Sequence, residues 1–169
     1  MVFGVKRMTI QEIKAYLKEH PILIFRYNSE YYSLRRSRSL FGSQYCLMPT
    51  DGLPQQRSSL EELCEHVYIG NGTVLMDAIE HIEIPEWDAP SWETYKAVRH
   101  CAIIHGNEIH FFYRGKDYWI AHTNDGIYHL SDNLGNTQLF NSCRTLFEDA
   151  RIDGSTLEEI WEDVDVDAC

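Results

Sequence analysis

Two helix faces recur along this chain at a nearly constant spacing, and that recurrence limits the fold more than any other feature. Leu75, Ala78, Ile79 and Ile82 stand 82 residues before Leu157, Ile160, Trp161 and Val164. Both sets follow the i, i+3, i+4, i+7 pattern of one helix face. Upstream, Leu60, Leu63, Cys64 and Val67 match Cys143, Leu146, Phe147 and Ala150 at an offset of 83. Ser59 and Ser142 are placed to cap this earlier pair. Thr73 and Ser155 are placed to cap the later pair, with Glu158 completing a capping box in the second copy. The chain therefore reads as one unit written twice.

Aromatic-rich hairpins precede these helices. In the second copy Ile109–Arg114 leads through Gly115-Lys116 into Asp117–His122, where a leading glycine suits a type II′ turn. That register pairs Phe112 with Trp119 and Tyr113 with Tyr118. One face then holds Ile109, Phe111, Tyr113, Tyr118 and Ile120, and the other His110, Phe112, Arg114, Asp117 and Trp119. The first copy repeats the hairpin around Asn28-Ser29 at an offset of 87. Third strands are expected near Gln44–Met48 and Ile127–Leu130, the latter introduced by the Asn124-Asp125-Gly126 turn. An opening helix is expected in each copy. One follows the Thr9-x-x-Glu12 capping box, with Ile10, Ile13, Tyr16 and Leu17 as its stripe; the other starts at Trp92 behind Ser91. The tails Ile82-Glu83-Ile84 and Val164-Asp165-Val166 read either as a last helical turn or as a small strand.

The expected fold is α+β: two tandem α-β-β-β-α-α units with antiparallel sheets, over residues 8–84 and 91–166, joined by a linker at 85–90. A unit of this size is near the limit at which one core stabilises a domain. A pseudo-twofold arrangement of the copies would add buried surface, with Phe112 and Trp119 as candidates for inter-repeat packing. The fall in offset from 87 to 83 implies four extra residues in the first copy, in the stretch that carries Arg35, Arg36 and Arg38.

Charge separates the halves. Residues 1–84 hold 9 Lys and Arg against 10 Asp and Glu, and residues 85–169 hold 6 against 16, so the net charge of −11 divides as −1 and −10. A nucleic-acid surface on the second repeat is excluded on that ground. No apolar run is long enough to span a bilayer and the N-terminus has no secretory pattern, so neither a membrane nor export is expected and a cytoplasmic location is. The five cysteines are widely spaced, without a C-x-x-C pair, and suit neither a disulfide framework nor a structural zinc site.

The remaining candidates are charge clusters. Arg35, Arg36 and Arg38 read either as an anion site, with Tyr31 and Tyr32 close by, or as a solvated hairpin loop docked on the protein's own acidic half. Glu158, Glu159, Glu162 and Asp163 begin the densest acidic run, which reads either as a docking surface for a basic protein or as the solvated side of an amphipathic helix. His105, His110, His122 and His129 lie on or near strands of the second copy. His110 and His122 fall on opposite faces of the hairpin, against a shared metal. No nucleophile elbow, phosphate-binding glycine loop or metalloprotease helix is present, so no catalytic residue, cofactor or metal is expected.

The stretch Tyr113–Ile120, followed by Ala150-Arg151-Ile152-Asp153-Gly154-Ser155-Thr156-Leu157-Glu158-Glu159-Ile160-Trp161, resembles a family of small uncharacterised bacterial proteins that end in A-R-I-D-G-x-[ST]-L-x-E-I-W. The resemblance covers the second copy; the first departs from it at Tyr68-Ile69-Gly70-Asn71-Gly72. It implies a bacterial or phage-related origin and carries no catalytic residue. The function expected is that of a non-enzymatic binding protein whose acidic second half engages a basic protein, an immunity or toxin-neutralising type of role. The alternative is an enzyme or small-ligand protein with an anion site near Arg35–Arg38, between the repeats.

Overall fold

Thr9 opens the first helix as its sequence predicts. In the computed structural model, which describes residues 7–85 and 94–168, the Thr9 hydroxyl accepts from the Glu12 amide. The Glu12 carboxylate in turn accepts from the Thr9 amide at 2.7 Å. Helix α1 (Ile10–Glu19) buries Ile13 and Leu17. Strands β1 (Ile22–Tyr27), β2 (Glu30–Ser39), β3 (Gly42–Pro49) and β4 (Gln55–Arg57) then form an antiparallel meander in chain order. Helix α2 (Leu60–His66), capped by Ser59, returns across this sheet. A small hairpin, β5 (Tyr68–Ile69) and β6 (Thr73–Val74), leads into α3 (Leu75–Ala78) and a 3-10 turn over Ile79–His81. Beyond it Glu83 exchanges two backbone hydrogen bonds with Arg26, at 2.7 and 2.8 Å, and their side chains form an ion pair. Both expected helix faces are buried, with Leu60, Leu63, Cys64, Val67 and Ala78 fully enclosed.

The second compact unit, Pro90–Cys169, has its own core. Helix α4 (Tyr95–His100) widens into a π-helical turn over Cys101–His105, which Gly106 ends in the left-handed region. Strands β7 (Ile109–Tyr113), β8 (Lys116–His122), β9 (Tyr128–Asp132) and β10 (Thr137–Phe140) follow, then α5 (Cys143–Asp149) behind its Ser142 cap. Next come the small hairpin β11 (Arg151–Ile152) and β12 (Ser155–Thr156), α6 (Leu157–Ile160), a 3-10 turn over Trp161–Asp163, and β13 (Asp165–Ala168). The sheet order is β10-β9-β8-β7-β13, and all its pairings are antiparallel. Phe111, Phe147, Leu146, Leu157 and Ile160 fill the space between sheet and helices.

The architecture is thus α+β with antiparallel sheets, and several local expectations need correction. Each meander has a fourth strand, β4 and β10, too short to show period-two alternation.

The second hairpin turns at Arg114-Gly115, so Tyr113 faces Lys116 and His110 faces Trp119. Both turn residues have positive φ, 49° and 74°, the type I′ geometry whose twist matches the strands. The register moves by two, so every side chain keeps its expected face.

The cap of α6 is Thr156, boxed with Glu159, because Ser155 pairs with Ile152 in the small hairpin. In the first unit Val74 holds that place without a side-chain cap, while Thr73 accepts from the Tyr27 hydroxyl. Thr94, not Ser91, caps α4; Ser91, Trp92 and linker residues 86–90 lie outside the described residues.

Lastly, Arg35, Arg36 and Arg38 lie on strand β2, not in a loop. Between the paired residues Tyr32 and Pro49 there are 16 residues (49−32−1), and between Tyr118 and Asp132 there are 13 (132−118−1). The first hairpin is longer by three, not four, and the extra length is paired strand. The tail at Asp165 resolves into β13, added to the sheet beside β7.

Candidate interaction site

Strand alternation sends Ile109, Phe111 and Tyr113 inward and leaves His110 and Phe112 on the outer face of the second sheet. Trp119 stands opposite His110 on β8, and Asp117 opposite Phe112. On the other side β13 places Asp165 opposite Phe112, and an irregularity after Val166 brings Asp167 to His110.

The three rings form a row. His110 stacks flat on Trp119, centroids 4.8 Å apart and 8° between planes, and meets Phe112 edge-on at 4.8 Å. Its Nδ1 lies 2.9 Å from Asp167 Oδ2, and its Nε2 lies 3.2 Å from Asp117 Oδ1. Asn133 holds the other oxygen of Asp117 at 3.1 Å. A neutral imidazole has one N–H, so only the imidazolium can donate to both carboxylates. The hydrogen bond to Asp167, with that to Asp117 and their charges, accordingly raises the His110 pKa above its ordinary value. Phe112 and Trp119 keep 36% and 37% of their surface exposed, where aromatic side chains are usually covered. Three carboxylates and the His110 ring thus flank two open aromatic rings.

Glu158, Glu159, Glu162 and Asp163 are exposed on the helical layer, which packs on the inner face through Leu157, Ile160 and Trp161. They are not gathered with Asp117, Asp165 and Asp167, and the Glu159 carboxylate is held by the Thr156 amide and hydroxyl at 2.8 and 3.0 Å. Arg35 and Arg38 are exposed on β2; Arg36 is half-buried and donates to the Ser43 hydroxyl at 3.0 Å. His122 falls on the opposite face from His110, as its strand position predicts. Sequence reading missed Asp117 and Asp167 as partners of His110. The signal lay in the Asp165-Val166-Asp167 alternation, but its meaning depends on which strand it joins.

Among the described residues no group of His, Cys, Asp and Glu is arranged to hold a metal ion, and no helix is long and apolar enough to cross a membrane. Burial pushes the Cys64 and Cys143 thiols up to about 12 and about 11, which makes them inert packing groups. An open concavity of about 210 Å³, lined by Lys116, Tyr118, Asp132, Gln138, Arg151 and Asp153, mixes both charges on the other side of β8. No family model, curated protein or solved structure matches the chain.

Proposed function

We propose that this protein acts by binding, and that the outer face of the second sheet is where a basic protein partner docks. One observation carries the reading: Trp119 and Phe112 lie open on either side of His110 with Asp117, Asp165 and Asp167 around them. Exposed aromatic rings beside carboxylates suit an arginine or lysine, which gains about 0.5–2 kcal/mol over a ring and a charge-assisted hydrogen bond at its edge. The excess of −10 in residues 85–169 adds a long-range field that speeds encounter with a cationic partner. The acidic side of α6 adds to this field from the helical layer, and the partner seats on the sheet face. A cytoplasmic, immunity-type role suits such a binder.

The duplication belongs to the same reading. Its support is one pattern of pairing in both units. The bridge of Arg26 to Glu83 corresponds to the pairing of Phe112 with Asp165, and the stack of Phe25 on Tyr32 (5.4 Å, 16°) to that of Phe111 on Tyr118 (5.3 Å, 15°). On this view one copy kept a sheet face for a partner while the other lengthened a hairpin.

The test is co-purification from host cells at low and high salt, with mass spectrometry of the retained proteins, for the natural chain and for Trp119→Ala. A basic protein should be retained at low salt, be lost as salt rises, and bind the variant roughly thirtyfold more weakly, as expected for a central aromatic anchor worth about 2 kcal/mol. A partner indifferent to both salt and Trp119 would sink the proposal.

A further inference from the structure

The β2–β3 hairpin carries a second surface, of opposite charge. No Asp or Glu occurs between Glu30 and Asp51, although 26 of the 169 residues are acidic, and the same stretch holds Arg35, Arg36 and Arg38. The hairpin outruns its neighbours. Strand β1 last pairs with β2 at Arg35, and β4 last pairs with β3 at Tyr45. From there Ser37↔Gln44, Arg38↔Ser43 and Ser39↔Gly42 continue as a two-stranded arm. Three further pairs at a strand rise of about 3.3 Å carry its end roughly 10 Å beyond the sheet. At that end Leu40 and Phe41 are 101% and 100% exposed. A soluble hairpin gains nothing from two large apolar side chains at its tip, where Asn, Asp and Gly are the usual turn residues.

We propose that this arm is a membrane-contacting element, whose Leu40–Phe41 tip enters the outer part of an anionic lipid bilayer while Arg38 meets its headgroups. The two apolar side chains lead, and Arg38 lies two residues behind, about 7 Å back, at the depth of the lipid phosphates. Arg36 and Arg35 follow at roughly 13 and 16 Å, where the surface potential has weakened. The net charge of −11 opposes approach, but the arm's length exceeds the Debye length of about 8 Å at physiological salt, so most of that repulsion is screened. An acidic protein surface would satisfy the arginines equally well. It is the fully exposed apolar tip that favours a bilayer. This departs from the sequence-based expectation of no membrane partner, which rested on the lack of a spanning segment; the arm touches a surface and spans nothing. The inference concerns a different unit from the basic-partner face and does not rest on it.

The experiment is co-sedimentation of the full chain with vesicles of phosphatidylcholine alone and of phosphatidylcholine with phosphatidylserine. Binding is expected only to the anionic vesicles and should weaken with salt. Leu40→Ser with Phe41→Ser should lower it at least tenfold, and Arg38→Gln about fivefold, the worth of one basic residue at an anionic surface. Arg35→Gln should do less. All these positions are exposed, so thermal unfolding should not move. Equal binding to both vesicle types, no binding at low salt, or a double variant that binds like the natural chain would each overturn the proposal. So would self-association, without vesicle binding, that the double variant abolishes.

Discussion

His100 and His110 are ten residues apart and respond to acid in opposite directions. His100 is fully buried at the end of α4, and burial, with His105 beside it, pushes its pKa down to about 3 from 6.5. The native state thus refuses a proton that the unfolded chain accepts between those values. Stability should fall as pH drops below about 6.5, by roughly 1.4 kcal/mol per pH unit, and level off near 3. Denaturant midpoints measured across this range should show the slope, and His100→Asn should flatten it; an unchanged slope would mean that other groups set the acid limb. His110 has its pKa raised, so its stabilising pairs are complete below 6.5 and are lost as pH rises through its folded value. Neither role was read from the sequence, which placed His110 on an outer strand face and did not single out His100. Asp167 reaches His110 from 57 residues away.

Helix faces and strand faces were legible because they are periodic. Each residue named on the helix faces of α2, α5, α3 and α6 is buried except Val164, which packs against the core from its edge. Thr9, Ser59 and Ser142 cap as expected, but the α6 cap and the second hairpin turn were each misplaced by one position, and the α4 cap by three, because their signals are single residues. Ser155 and Thr156 are both good caps, and the choice is made by backbone pairing of Ser155 to Ile152. Thr156→Ala should therefore cost about 1 kcal/mol in unfolding free energy and Ser155→Ala much less. The reverse order in thermal or denaturant unfolding would restore the sequence-based assignment. The hairpin turn shows the same limit. Gly115 could lead a type II′ turn or close a type I′ turn, and strand twist selects the second, with Arg114 accepting a positive φ of 49°. Strands β4 and β10, of three and four residues, were below the length at which alternation can be seen.

At the scale of the whole chain, two units with separate cores carry different surfaces. In each unit buried apolar side chains pack helices on a sheet; the first unit carries the basic arm and the second the acidic aromatic face. The candidate site was half-legible. Phe112 and Trp119 were placed together on one outer face, though as candidates for inter-repeat packing, and the acidic excess of residues 85–169 was counted directly. The convergence of Asp117, Asp165 and Asp167 on that face was not legible, because β13 reaches β7 across more than 50 residues. The central claim is that binding occurs on this sheet face and not on the acidic side of α6. Nuclear magnetic resonance titration of the full chain with an arginine-rich peptide tests it most directly. The account predicts salt-sensitive shifts in the Trp119 indole and along β7, β8 and β13; shifts confined to Glu158–Asp163, or none at low salt, would contradict it.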